Sequence, residues 1–476
     1  MDSFVAAVIC GGGGLRLWPL SRAAYAKPFV RLPGRDRPLL ADTFARIAQS
    51  PDAPAAIIVI AAENDIPMCR RTAAEYAPKI PHLFVGEPEG RDTAPAIAAA
   101  ACLSAKRFGE ETPLLVLPAD HAVARADNFW RAAMRAARAA ADGKIALLGV
   151  PPDSPATGYG YIERGTMESE SQFAVRRFVE KPDAARAAQF LADGNFLWNA
   201  GIFSFTPQTL FSELRSETPE LFAPLDDLRK TIGGDSDSWS PPQKHYARLP
   251  KISFDYAVME KTRRASVVAA ENTGWSDVGS WRAVAETLPA DADGNRNFAA
   301  AELLDCKNCF VAGGHRLIAA VGARDLHIVD TPDALLISAA ADSEKVRDLA
   351  AHLRAQKRPQ AETPATVRRP WGEYTVLSEG DGYKVKRISV SPGGKLSLQS
   401  HRRRSEHWTT VAGTMTVTID EREFAQAAGA ACFVPLGAKH RMANDTAAEA
   451  AIIEVQIGDY LGEDDIVRYE DIYGRR

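Results

Sequence analysis

Residues 5–18 read VAAVICGGGGLRLW, and the change within them, from the apolar run Val5–Ile9 into the four glycines Gly11, Gly12, Gly13 and Gly14, decides the fold class. A short apolar run that ends in a glycine-rich turn predicts a strand opening into a nucleotide-binding α/β unit. The apolar pattern returns at 56–61 and 114–117. Between and after these runs lie PAIAAAACLSAK (95–106) and NFWRAAMRAARAAAD (128–142), each long enough to cross a sheet as a helix. Strand and helix therefore alternate as a largely parallel sheet requires.

Further along, turns and polar breaks separate GYGYIERG (158–165), RRFVEKPD (176–183) and FLWNAGIFSF (196–205), which read as strands and loops facing a substrate. Short strand candidates follow DGNRNF (293–298): CFVAG, HRLIAAVG and LHIVD, closed by the helical SEKVRDLAAHLRAQK (343–357). The polar, proline-bearing stretch at 355–368 reads as a linker. Beyond it KVKRISVSPGGKLSLQ, HWTTVAGTMTVTID, ACFVPLG and AIIEVQIG predict a compact antiparallel barrel. The expected division is 1–290, 291–354, a linker at 355–368 and 369–476.

The 476 residues exceed what one ordinary core needs. A net charge of -4 gives no general attraction to nucleic acid or an anionic membrane, although local basic loops can still bind small anions. The start MDSFVAAVIC has no basic leader with a long apolar segment, and no apolar run reaches membrane length, so the expectation is a cytoplasmic protein. Six scattered cysteines are too sparse for a disulfide framework, and Cys306 with Cys309 has no second pair to complete a zinc site.

Glycines let backbone amides approach phosphates, and Arg16 and Lys27 supply cations shortly after them. Neither a dinucleotide fingerprint nor a P-loop is present. Asp120 follows the apolar LLVLPA run and Asp277 lies in GWSDVGSW. Carboxylates at strand ends can hold Mg²⁺ against triphosphate oxygens, although either aspartate alone would also serve as a cap or turn residue.

GGGGLRLWPLSR, GRDTAPAIA, LPADH, GYGYI, FVEKPD, WNAGIF, FDYAVME and WSDVGSW together resemble the bacterial mannose-1-phosphate guanylyltransferase family, in its longer form that also carries mannose-6-phosphate isomerase. The resemblance implies a Rossmann-like, GT-A-like nucleotidyltransferase core, a short β-rich middle unit and a C-terminal cupin barrel. It implies that Gly11, Gly12, Gly14, Arg16 and Lys27 meet the nucleotide, with Arg91 and Asp92 shaping its pocket. Asp120 and Asp277 become the Mg²⁺ pair. Gly160, Glu180, Lys181, Asn199 and Gly201 face the sugar phosphate. The implied reaction turns GTP and α-mannose 1-phosphate into GDP-mannose and diphosphate. Two departures stand out: Ala26-Lys27-Pro28 where the family has proline before the lysine and glutamine after it, and GRDTAPA for GRNTAPA, which puts Asp92 beside an anionic ligand.

Gly394, Gln399, His401, Glu406 and Gly413 form one ordered group, and Gly429, Pro435, Gly437, His440 and Asn444 another. They resemble the paired motifs of the cupin superfamily, with glutamine at 399 as in phosphomannose isomerases. Gln399, His401, Glu406 and His440 are thereby implied as ligands of Zn²⁺ or another divalent metal. Alternation in a strand turns His407 away from Glu406. Lys386, Arg404 and Arg441 are candidates to hold the phosphate of mannose 6-phosphate, and no residue stands out as the acid or base. QSHRRRSEHW carries Arg402 and Arg403 where the family has further histidines. The terminal YLGEDDIVRYEDIYGR reads as an intact barrel edge. Other readings stay open: a guanylyltransferase whose barrel serves assembly or regulation, a non-catalytic sugar-nucleotide sensor, another hexose phosphate or an adenosine nucleotide. A homo-oligomer is compatible with all of them.

Overall fold

A computed structural model describes residues 3–314 and 316–470. The opening run forms the strand Val5–Cys10, and on both of its sides the neighbours are parallel: Ala56–Ala62 on one, Leu114–Pro118 on the other. His82–Glu87 extends the first side, so the chain order of these four strands across the sheet reads third, second, first, fourth. The order reverses between Val5–Cys10 and Leu114–Pro118. At such a switch point the loops leaving the two strands diverge and open a crevice beyond their carboxyl ends. The glycine loop and Asp120 both lie there.

Sheet residues from Val5 to Val8 are fully buried because helices cover both faces. The two alanine-rich stretches are the helices Thr93–Phe108 and Ala126–Ala141, one in each covering layer. Their alanines let backbone approach sheet closely, and each buried valine or isoleucine beneath contributes about 1.5–3 kcal/mol. Past Leu114–Pro118 the sheet turns mixed. Phe196–Phe205 runs antiparallel between Leu114–Pro118 and Ile145–Val150, and the hairpin Tyr161–Ser169/Gln172–Val179 ends the ten-stranded sheet.

The middle region is a stack of short parallel strands. Arg296–Phe298, Phe310–Ala312 and Leu326–Asp330 pair in parallel, as do Ala301–Leu304 and Ile318–Val321, so the chain advances one rung at a time. Cys306 and Cys309 are buried in this stack beside Val311 and Ile328, an apolar packing role. The stretch around 359–362 is docked against the glycine-loop segment: the amide of Ala24 donates to the carbonyl of Glu362 (2.9 Å) and the indole of Trp18 to that of Gln360 (2.9 Å).

The C-terminal region corrects one expectation. Its strands are short and antiparallel as predicted, but they form two separate sheets and no closed barrel. The six-stranded sheet runs Thr366–Arg369, Gly372–Gly380, Tyr383–Val390, Ala450–Gly458, Arg404–Ala412, Ala431–Val434. The five-stranded one runs Arg422–Ala427, Thr414–Ile419, His440–Ala443, Leu398–His401, Ile466–Glu470. Among the described residues no ladder joins an edge of one to an edge of the other. The sheets instead share a core of Trp371, Ile388, Val390, Trp408, Met415, Val417, Met442 and Ile452. Short strands and turns are common to barrel and sandwich, and closure depends on pairing first with last strands, which local pattern does not encode. Of the expected terminal edge, Ile466–Glu470 is a strand and the part from Asp471 lies outside the described residues. No described helix is long and apolar enough to cross a membrane.

Candidate functional site

The switch-point crevice gathers the first group of residues. Gly14 adopts a left-handed φ of 55°, and a Cβ there would collide with the Cβ of Lys27. The loop is thus held against the root of Lys27, whose ammonium pairs with Asp120 Oδ2 at 3.0 Å and donates to the backbone carbonyl of Asp277. Lys27 is buried, which gives its charge more weight than in bulk water. Gly14→Ala is expected to cost about 1–2 kcal/mol from the backbone alone. Steric pressure on Lys27 adds to that, and a thermal melt of the variant, read beside its GDP-mannose rate, checks both.

Around Gly11 and Gly12 an added Cβ would meet nothing within 4 Å, so this part of the loop is open for a ligand's approach. The carboxylate of Asp277 accepts from the Tyr159 hydroxyl (2.8 Å) and the Gly279 amide (3.0 Å). Tyr159 packs edge-on against Trp198 and Trp275, and burial with the Asp277 charge pushes its phenol far up, so it stays a donor. His121, beside Asp120, accepts through Nδ1 from the Trp275 indole (3.1 Å), and burial lowers it to about 4, which keeps the ring neutral. Arg16 is turned to Glu344 of the middle region, at 2.9 Å. Arg91 bonds Glu89 and the Leu249 carbonyl, while Asp92 caps Thr93–Phe108 by accepting from the Thr93 amide.

A second cluster adjoins the first. A Cβ on Gly160 would meet Glu180 Oε2 at 2.7 Å and Asn199 Cβ at 3.3 Å. The Asn199 side chain accepts from the Gly201 amide (2.9 Å) and donates to Asp255 (2.9 Å). Gly201, with φ 64°, passes close to His121, so this cluster and Asp120 share one crevice. Lys181 pairs with Glu180. Burial, then the Glu180 charge, raises the Asp255 carboxyl to about 7.

In the C-terminal sheets His401, Glu406 and His440 are all buried and converge, their ligand atoms lying within 4.8 Å of one another. His440 Nδ1–H donates to the Ala438 carbonyl (2.9 Å), which leaves Nε2 with its lone pair inward, 3.1 Å from His401 Nε2. Two imidazole nitrogens converging with a carboxylate in a buried site form a group that could hold a divalent cation. Burial opposes charge on Glu406, but His401, His440 and Arg404 outweigh it and hold the carboxyl well below the ordinary range. Gln399 lies directly across the ladder from His440 and accepts from Ser397 (2.9 Å). His407 is exposed on the opposite face.

A cavity of about 330 Å³ opens beside this group, lined in part by Gln399, Arg404, Glu406 and Lys386. Arg404 is buried against Glu406 Oε1 (3.2 Å) and the Gly462 carbonyl (3.0 Å), and Lys386 pairs with Glu463 (2.7 Å). Arg441 pairs with Glu470 instead and does not line the cavity. In its place the structure brings Arg369 and Arg468, with Tyr374 and Glu454.

Residues 5–294 match the nucleotidyl transferase family, 302–353 a mannose-phosphate isomerase/GMP-like β-helix domain and 356–471 the mannose-6-phosphate isomerase C-terminal family. The xanthan biosynthesis protein XanB of Xanthomonas campestris pv. campestris is 41% identical, with all of both chains aligned. The chain belongs to the bifunctional mannose-1-phosphate guanylyltransferase/mannose-6-phosphate isomerase family.

Other members are similar at full length. Mannose-1-phosphate guanylyltransferase of Escherichia coli is 38% identical over 98% of this chain and 99% of its own. Alginate biosynthesis protein AlgA of Pseudomonas aeruginosa is 38% identical over 98% and 96%. The crystal structure of mannose-1-phosphate geranyltransferase from Thermus thermophilus covers 74% of this chain and 100% of its own, at 33% identity and TM-score 0.65. Sequence reasoning did not single out Tyr159, His121 and Asp255, which the crevice places against Asp277, Trp275 and Asn199, although they lie in GYGYI, LPADH and FDYAVME. Arg369, Tyr374 and Glu454 carried no local signal, because they reach the cavity from three different strands.

Proposed function

We infer that the chain joins a guanylyl group from GTP to α-D-mannose 1-phosphate, giving GDP-mannose and diphosphate. The carrying observation is Lys27, buried at the mouth of the sheet's switch point between Asp120 and Asp277 and braced by Gly14. In this reading Gly11, Gly12 and Gly14 cradle the triphosphate, and Arg16 exchanges Glu344 for phosphate oxygens. Arg91 and Asp92 border the nucleoside. Glu180, Asn199 and Gly160 orient sugar hydroxyls while Lys181 draws the sugar phosphate. A phosphate oxygen of mannose 1-phosphate attacks the α-phosphorus in line, the new P–O bond forms, and the bond to diphosphate breaks. No protein nucleophile is needed, since positioning and charge compensation suffice. Asp120 and Asp277 are suited to Mg²⁺, which when bound supplies charge neutralisation at the phosphoryl oxygens.

The C-terminal sheets add interconversion of mannose 6-phosphate and fructose 6-phosphate. His401, Glu406 and His440, with Gln399, are the residues that would hold Zn²⁺ or another divalent ion, which when bound polarises sugar oxygens. Arg404, Arg369 and Lys386 make the cavity cationic enough for a sugar phosphate. Residues 1–290, 291–354 and 369–476 serve as the working units, joined at 355–368. Mass-spectrometric assay of the purified, metal-replete chain tests both halves. GDP-mannose from GTP and mannose 1-phosphate supports the first and fructose 6-phosphate from mannose 6-phosphate the second; failure to form either product removes the corresponding half.

A further inference from the structure

The isomerase cavity contains a carboxyl that no other role absorbs. Glu454 lies on Ala450–Gly458, the strand between Arg404–Ala412 and Tyr383–Val390, and stands directly opposite Trp408 on one neighbour and Lys386 on the other. It is 4% exposed and lines the cavity that also reaches Glu406 and Gln399. One of its oxygens accepts from Gln456 Nε2 at 2.8 Å, and the same amide reaches Glu406 Oε1 at 3.3 Å. Among the described residues the other oxygen has no hydrogen-bond donor, and no cation lies within ion-pairing distance of this carboxyl.

The other titratable groups at the cavity are engaged. Glu406 belongs with His401 and His440. Glu463 is paired to Lys386, whose ammonium is held protonated, against its burial, by Glu454 and Glu463. Burial and neighbouring negative charge push the Tyr374 phenol up, and arginines do not exchange protons at neutral pH. Among the described titratable residues that line the cavity, Glu454 is the carboxyl without an ion pair. Burial, then the Glu406 charge, raises the Glu454 carboxyl to about 8, against the opposing pull of Lys386 and Arg404. A buried carboxyl raised toward neutral pH at the wall of a cavity can both take and return a proton.

We propose that Glu454 is the acid–base residue of the isomerase cavity, carrying the proton between C2 and C1 of mannose 6-phosphate; this rests on the isomerase reading above. In the open-chain sugar the Glu454 carboxylate takes the C2 proton, and the C2–H electron pair becomes the C1–C2 double bond as the C1 carbonyl pair moves to O1. The O2 hydroxyl proton passes to O1. The O2 electron pair then re-forms a carbonyl at C2, and C1 takes the proton back from the Glu454 carboxyl, giving fructose 6-phosphate with no net change in the protein. Gln456 orients the carboxylate and is a positioning residue.

The test uses the full metal-replete chain and its Glu454→Gln variant, which keeps size and hydrogen-bonding capacity. Four readouts are taken: isomerisation rate, bound metal, affinity for mannose 6-phosphate, and uptake of solvent deuterium at C2 of mannose 6-phosphate or C1 of fructose 6-phosphate by NMR. The variant is expected to keep its metal, its sugar-phosphate affinity and its GDP-mannose activity, which reports correct folding. Its isomerisation is expected to fall at least about 100-fold, and deuterium uptake with it. Glu454→Asp, which retains the carboxyl, should recover part of both. A Glu454→Gln protein that isomerises within about threefold of the parent overturns the assignment and leaves the isomerase reading intact. A parent that binds metal and mannose 6-phosphate yet neither isomerises nor exchanges deuterium overturns the reading itself, and the assignment with it.

Discussion

Asp120→Asn is expected to lower the rate of GDP-mannose formation by about 100- to 1,000-fold, the cost of about 2.7–4 kcal/mol associated with losing one preorganised charge-stabilising group. The side chain keeps its size, so the strand Leu114–Pro118 and its parallel pairing with Val5–Cys10 are untouched. What disappears is the anion facing Lys27 at 3.0 Å. With it goes one of the two carboxylates that suit Mg²⁺. The lysine then lacks its partner in a buried setting, where an uncompensated charge is costly. Steady-state rates with saturating GTP and mannose 1-phosphate measure the effect, and isomerisation by the same sample serves as the control. A variant within tenfold of the parent would remove Asp120 from the reaction. A variant that lost both activities would indicate misfolding, which a melting curve distinguishes.

Glu406→Gln is expected to abolish divalent-metal retention and isomerisation while GDP-mannose synthesis continues. Glu406 Oε1 lies 3.1 Å from His401 Nε2, and its Oε2 3.6 Å from His440 Nε2, so among the described residues it is the anion shared by both imidazoles. Replacing it by a neutral amide leaves Arg404 buried without its carboxylate and takes the anion away from both imidazoles. Removing one partner of a buried charged group costs about 3–5 kcal/mol. The melting temperature should therefore fall, and added metal should not restore it. Affinity should drop by more than the roughly 10- to 100-fold that losing an outer-sphere partner costs. Elemental analysis after dialysis gives the metal content. Metal at parental stoichiometry in the variant would show that Glu406 is no ligand. His407→Ala, one residue along but exposed on the other face, should behave like the parent.

Local chemistry made much of this protein readable without coordinates. An apolar run ending in four glycines can only leave a strand into an open turn, and alanine-rich stretches of sixteen residues are helices almost wherever they are placed. Gln399 and His401 were legible as sharing a face because alternation is a property of a single strand, and the same rule set His407 opposite Glu406. What single strands cannot specify is which distant strand lies beside them. The middle region gave no hint that its rungs pair in parallel, and the C-terminal strands read as a barrel where the chain builds two open sheets. Arg441 follows a buried histidine in sequence, yet the sheet turns it to Glu470. Glu454 had no motif at all: only the pairing of Ala450–Gly458 with two neighbours sets it opposite Lys386 and into the cavity. Residue type and short-range period follow from the sequence itself, whereas closure, rung stacking and the facing of side chains across strands depend on burial summed over the whole chain, which only the tertiary structure resolves.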